Sequence, residues 1–146
     1  MNYIEPTLYK TIIDNTINIC VDVFLNYNNK FVLVKRLEEP MKGVYWPIGG
    51  RIHKGEKALD AAKRKIQEEF CSLDNIEEES LVAAGYYEDQ YTANSFSNET
   101  HYHTLSIVFF GKIISLDNIK LDSTSEDWGL FSDLPERLTI KPFEVY

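Results

Sequence analysis

This sequence predicts a single domain of the α/β (α+β) class, and three observations carry that expectation. Runs rich in β-branched and aromatic residues recur at 17–25, 30–36, 81–91 and 102–114, separated by turn formers or polar stretches. One strong helical pattern interrupts them, with Leu59, Ala62, Ile66 and Phe70 spaced by three or four residues on one stripe. The length of 146 residues suits one domain, which at this size buries about 70% of the surface its unfolded chain exposes.

Taken in order, residues 7–14 follow Pro6 with mixed polarity and predict a short helix. The run 17–25 reads as a buried strand interrupted by Asp22, which must either point out at an edge or have a partner, because an unpaired buried carboxylate is costly. Asn26 to Asn29 make a turn into a second, antiparallel strand, KFVLVKR at 30–36. A loop at 37–44 with Pro40 and Gly43 delivers Tyr45, Trp46 and Pro47 to a glycine loop. Trp46 has two readings there, a stacking surface for a base or a core residue. Beyond the helix, the acidic run 74–79 reads as a solvated connector. Two longer strands follow at 81–91 and 102–114, and the polar loop 92–100 between them is a candidate lid. His101 and His103 share one face of the second strand, but no Cys or third His sits nearby to complete a zinc site. A second acidic stretch, 117–127, leads to a short strand at 128–131, and 133–138 with Pro135 suggests a terminal helical turn.

Composition narrows the function classes. No apolar run approaches the roughly eighteen residues of a membrane helix, and the N-terminus lacks a basic-then-apolar signal pattern, so the chain reads as cytoplasmic. The two cysteines, Cys20 and Cys71, make no disulfide framework and read as reduced thiols. A net charge of −8 disfavours a nucleic-acid polymer as partner, since backbone binding needs a basic surface, but a small phosphate ligand needs only a local arginine cluster.

The chemistry concentrates between Gly49 and Leu73. Gly49, Gly50 and Gly55 let backbone approach a ligand. On the helix that follows, Arg64 and Glu68 share one face and Lys65 and Glu69 the next. Glu68 and Glu69 fall in the last turns, where the helix dipole disfavours carboxylates and a bound cation would relieve the conflict. Magnesium, a hard ion that keeps water and phosphate ligands, suits such a pair, although a Lys65–Glu69 ion pair would also explain it.

Spacing makes the stretch specific. Gly50, five residues, Glu56, seven residues, Arg64, and then Ile66, Glu68 and Glu69 resemble the box of the Nudix hydrolase family, which cleaves nucleoside diphosphates linked to another moiety. Lys65 stands where that box has Glu, Cys71 where it has Gly, and Ser72 where it has an aliphatic residue. The resemblance implies a mixed β-sheet sandwiched between α-helices, over one domain spanning 1–146. Within the family, Asp22, Lys35-Arg36, Gly49-Gly50-Arg51, the aromatic stretch 86–91 and Thr100-His101-Tyr102 are similar in order to the GDP-mannose mannosyl hydrolase subfamily. That subfamily also lacks the Glu replaced here by Lys65. Where it has a metal-binding Gln, a general-base His and a Tyr near the C-terminus, this chain has Thr124, Ser125 and Trp128, and Asp89 replaces a second loop His.

The resemblance implies a magnesium-dependent hydrolase of nucleoside diphosphate sugars or related compounds, with manganese able to substitute. In that reading the Gly49 carbonyl, Glu68 and Glu69 hold one magnesium per chain. Arg36 and Arg51 fork onto the diphosphate, with Asp22 and Trp46 also against substrate. Arg51, Arg64, Glu69, Asp89 and His101 are the expected catalytic set. Arg64 either orients Glu68 or touches substrate, and Glu56 either caps the helix or braces Arg64. With Lys65 in place of the usual carboxylate, the general base must come from a loop, from Asp89, His101, Glu126 or Asp127. A homodimer is compatible with the resemblance. The alternative is a nucleotide-binding module without hydrolytic power.

Overall fold

The computed structural model describes residues 3–92 and 101–144. Helix α1 spans Pro6–Asn15, started by the Glu5 carboxylate, which accepts from the backbone N–H groups of Thr7 and Leu8 at 3.0 Å each, with Pro6 in the first turn. Strands β1 (Asn18–Tyr27) and β2 (Lys30–Arg36) form the expected hairpin. Its turn places Asn28 and Asn29 at φ of 50° and 63°, a conformation asparagine tolerates better than most side chains.

The hairpin stays paired only near its turn, at Asn26–Phe31 and Tyr27–Lys30. Beyond it, the chain from Tyr45 to Arg51 joins both diverging strands. Strand β3 (Tyr45–Trp46) pairs with β2, and β4 (Ile48–Arg51) pairs antiparallel with β1, so that Asp22 lies opposite Gly49. Pro47, which has no N–H to give a ladder, separates the two. Gly49 and Gly50 therefore belong to a strand and not to the glycine loop expected from sequence. The close approach still needs glycine, since a Cβ on Gly49 would land against Asp22 Oδ1 and the Val21 carbonyl.

Helix α2 spans Ala58–Glu69. Ala62, Ile66 and Phe70 are fully buried as the pattern requires, but Leu59 is 39% exposed and Ala61 takes its place in the core. Helix α2 packs under Val21, Val23, Ile48 and Phe109, and Phe70 meets Trp128 edge-on at 5.3 Å. Each such buried side chain contributes about 1.5–3 kcal/mol. The helix ends without a left-handed residue: the Phe70 and Cys71 N–H groups both donate to Ile66 O at 3.0 Å, so Cys71 can stand where a glycine was expected.

After a 3-10 turn at Leu73–Asn75, β5 runs from Ile76 to Tyr91 and β6 from Tyr102 to Ile113. The acidic run is thus no connector; Glu77, Glu78 and Glu79 are exposed on β5. Strand β6 pairs antiparallel with β5 and parallel with β1, which makes the sheet mixed. Strand β7 (Ser125–Phe131) pairs with β2, and a short β8 (Lys141–Pro142) edges β5. The eight-stranded sheet has the order β3-β2-β1-β6-β5-β8, with β4 on β1 and β7 on β2. Residues 133–138 form only a turn, closed by Leu138 N–H to Pro135 O at 3.0 Å, where a helical turn was expected. The fold is α+β with a mixed sheet and, among the described residues, two α-helices. The candidate lid at 92–100 lies outside them beyond Thr92. Both cysteines are free and buried.

Candidate active site

The site grows from the place where β1 leaves β2 to pair with β4. Alternation along β1 sends Val21 and Val23 to the helix α2 side and Cys20, Asp22 and Phe24 to the other face. On that second face, β6 contributes Thr104 and Ser106 and β5 contributes Tyr87 and Tyr91, giving a cavity of about 190 Å³. Asp22 is buried there and has a partner: the Tyr87 hydroxyl donates to its Oδ2 in a short hydrogen bond, and Ser106 also bonds it. Burial pushes the Asp22 carboxyl up to about 7, against the opposing pull of Tyr87, Ser106 and Arg36. Burial likewise pushes the neighbouring Cys20 thiol up to about 12, so it is an inert thiol and no nucleophile at neutral pH.

Arg36, Arg51, Trp46, Gly49 and Glu69 line the same cavity. Arg36 is steadied by Nε donating to Pro40 O at 2.7 Å. The Arg51 guanidinium lies 5.4 Å from the centre of the Tyr9 ring, which brings α1 over the site. Trp46 is 5% exposed and meets Tyr87 edge-on at 6.4 Å, so it serves the core while its edge lines the cavity.

Glu56 is a brace. Arg64 Nε and Nη2 donate to its two oxygens at 2.7 and 3.0 Å, and the same carboxylate accepts from His53 N–H at 2.9 Å. Those hydrogen bonds, that from Arg64 above all, hold the Glu56 carboxyl down at about 2. The rest of the Arg64 fork is spent on the Arg51 carbonyl at 3.0 Å and Glu68 Oε2 at 3.2 Å, so Arg64 ties β4 and the segment before α2 to the last turn of the helix. Burial, then Arg64 and Arg51, lower the His53 pKa and keep it neutral at pH 7.

Glu68 is half-exposed, but Glu69 is 6% exposed and not on an open helix face as its position near the helix end suggested. A backbone hydrogen bond from Gly49 reaches it. Burial pushes its pKa up while Lys65 pulls it back. The Lys65 ammonium lies 2.5 Å from Glu69 Oε1 and 3.3 Å from Glu68 Oε2. Burial alone would lower the Lys65 pKa, but the two carboxylates outweigh it and the pKa is raised, so the ammonium is charged. Two carboxylates beside the Gly49 peptide are hard oxygen donors suited to magnesium or manganese, although no cluster of three acidic, His or Cys groups occurs among the described residues.

The structure brings Asp22, Arg36, Trp46, Gly49, Arg51 and Glu69 into one cavity and leaves Arg64 and Glu68 on its neighbour, a cavity of about 320 Å³ also lined by Arg51 and Lys65. Asp89 faces the same side of β5 as Tyr87 and Tyr91 but is clamped by Arg137 Nη2 at 2.8 Å and Nε at 2.5 Å. His101 stacks on His103 at 6.3 Å, and alternation sets that pair away from Tyr102 and Thr104, which line the cavity. Glu126 pairs with Lys35 at 2.9 Å, and Asp127 accepts from the Tyr45 hydroxyl at 2.6 Å. Sequence reasoning missed Tyr9, Tyr87, Thr104 and Ser106. The polar alternation Tyr102, Thr104, Ser106 inside an apolar strand was a usable signal for three lining residues; Tyr9 had none.

The site is thus a cavity in a mixed sheet, lined by two arginines and a buried carboxylate and bordered by the acidic end of a helix. The chain belongs to the NUDIX domain family, whose model matches residues 16–143. It is 31% identical over 96 residues to an ADP-ribose pyrophosphatase of Methanocaldococcus jannaschii, covering 66% of this chain and 51% of the relative. The chain thus spans about half the length of that curated protein. Its fold is similar to that of a MutT protein from Methanosarcina mazei, with a TM-score of 0.62 at 18% identity over 80% of this chain and 77% of the other. It is also similar to a bifunctional NMN adenylyltransferase/ADP ribose pyrophosphatase from Francisella tularensis, solved with AMP and a manganese ion. There the TM-score is 0.59 at 22% identity, over 86% of this chain and 36% of that one. No helix among the described residues is long and apolar enough to cross a membrane.

Proposed function

We propose that this chain is a magnesium-dependent hydrolase of nucleoside diphosphate compounds, nucleoside diphosphate sugars foremost. One observation carries the reading: the Glu56–Arg64–Glu68 brace fixes the acidic end of α2 beside a cavity that holds both Arg36 and Arg51. Glu68, Glu69 and the Gly49 carbonyl would hold magnesium, or manganese in its place. Such an ion, when bound, offsets diphosphate charge and favours the leaving group. The chain's own groups supply the remainder. Arg36 and Arg51 grip phosphate oxygens with planar forks that orient the scissile bond. Asp22 offers a sugar hydroxyl or base either a proton or an acceptor, according to pH. Trp46 and Tyr87 shield that contact from water. Of the proposed bases, Asp89 is better placed than His101, and Arg137 must release it before it can take a proton from water.

Both ADP-ribose and GDP-mannose fit this substrate class. The first is favoured by the archaeal pyrophosphatase relative, the second by the sequence likeness at Asp22, Arg36 and Arg51. A panel of nucleoside diphosphate sugars with magnesium, products resolved by chromatography and the attacked atom read from labelled water, tests the proposal. Turnover of at least one compound is expected, with loss of about 100-fold or more in Glu69→Gln. Absence of turnover across the panel with either metal refutes it. Binding without turnover would favour a nucleotide-binding module, the reading that the Lys65 ammonium between the two carboxylates supports.

A further inference from the structure

Lys65 needs an account of its own. Its side chain is only 15% exposed, its ammonium touches both Glu68 and Glu69, and its stem crosses Gly50, where an added Cβ would come within 2.9 Å of Lys65 Cε. A lysine on a helix surface has no need of such a channel; this one is packed into place by the missing side chain of β4. Charge explains the packing. Glu68 and Glu69 lie at the unfavourable end of the α2 dipole, and since Arg64 is bound chiefly to Glu56, Lys65 is the cation that contacts both. Lys65 offsets part of the charge of the pair.

We propose that Lys65 is the built-in cation of the Glu68–Glu69 pair, so that a divalent ion binds there only by displacing its ammonium. The inference rests on the metal-binding part of the reading above. Two cations cannot share the same carboxylate oxygens without strong repulsion, and the occupant already in place is held by burial as well as charge. Displacement has somewhere to go. The cavity of about 320 Å³ beside the pair is lined by Lys65 itself, Arg51, His53, Arg64, Glu68 and Tyr9, and a lysine stem reaches it by rotation about its side-chain bonds. The free protein therefore binds metal weakly, and the weakness is a property of one residue.

Manganese titrated into the full chain, with free ion followed by electron paramagnetic resonance, decides the matter. Lys65→Met is expected to bind at least ten-fold more tightly than the unmodified chain. Lys65→Arg, which keeps a cation there, is expected to bind as weakly, and adding Glu69→Gln to Lys65→Met is expected to abolish the gain. Lys65→Gln repeats the test with a polar stem should the Met variant fold poorly, as a thermal melt would reveal. Equal or weaker binding by both the Met and Gln variants overturns the inference. If the Lys65 variants and the unmodified chain bind manganese equally well and Glu69→Gln weakens that binding, only Lys65's role falls; if none binds it, or Glu69→Gln changes nothing, the metal-dependent reading falls too.

Discussion

Replacing Asp22 by Asn should reverse its effect on stability between acid and alkaline pH. Burial holds the Asp22 carboxyl in its protonated form up to about 7, against an ordinary value of 3.8. Between those values the folded chain keeps a proton that the unfolded chain has released, so raising pH favours unfolding. The slope is about 1.4 kcal/mol per pH unit at most, and across the window the penalty for ionising Asp22 accumulates to about 4 kcal/mol. Asn keeps an acceptor for the Tyr87 hydroxyl but cannot ionise, at a cost of about 1 kcal/mol for the imperfect replacement. At pH 4 the variant should therefore be slightly less stable than the parent, and at pH 8 more stable by about 3 kcal/mol. Urea unfolding of both proteins at unit pH steps gives the difference directly and cancels every titration they share. Two parallel stability curves would refute the buried, protonated carboxyl. Crossing at about pH 4.5, where the accumulated penalty equals the cost of the Asn replacement, would confirm it and predict activity that changes with pH through the same group.

Glu56→Gln should destabilise the fold by about 2 kcal/mol at neutral pH, because it strips a charged partner from Arg64 and His53 N–H. Since the folded Glu56 pKa is about 2 against 4.5, that stabilisation is full above 4.5 and should vanish as pH falls to 2, which acid unfolding of both proteins measures. Arg51→Ala should raise KM for diphosphates by about ten-fold and by more than Arg51→Lys does; equal effects in steady-state assays would remove the fork from the account. Gly49→Ala should cost at least about 2 kcal/mol in denaturant unfolding, because its Cβ meets Asp22 and the Val21 carbonyl and β4 must leave β1 to make room.

The amino-acid sequence by itself determined the elements whose signals are local. Strand β2 was legible to the residue because its β-branched run is bounded by asparagines and a loop. The ion pairs Arg64–Glu68 and Lys65–Glu69 followed from helical spacing alone, since residues four apart meet wherever a helix forms. The identity of Glu56 as a brace was open in sequence, because seven residues lie between it and Arg64 and Glu56 precedes the helix; only the turn at 53–56, which sets Glu56 against α2, closes the gap. Tertiary structure decided what depends on partners far along the chain. Glu77 to Glu79 look like a solvated connector, yet β5 runs through them, paired with β6 at Ile76 and Glu77 and again from Val82 after an irregularity, and exposed positions there tolerate carboxylates as a buried strand does not. Glu69 is buried and Glu68 is not because β4 comes to lie against one side of the helix end, a choice made by the β1–β4 register. The cavity itself joins Asp22, Tyr87 and Ser106 from three strands. Each is placed by alternation, but their meeting is set by the parallel β1–β6 pairing and the antiparallel β5–β6 pairing, and sheet register is fixed by long-range packing that no local window contains.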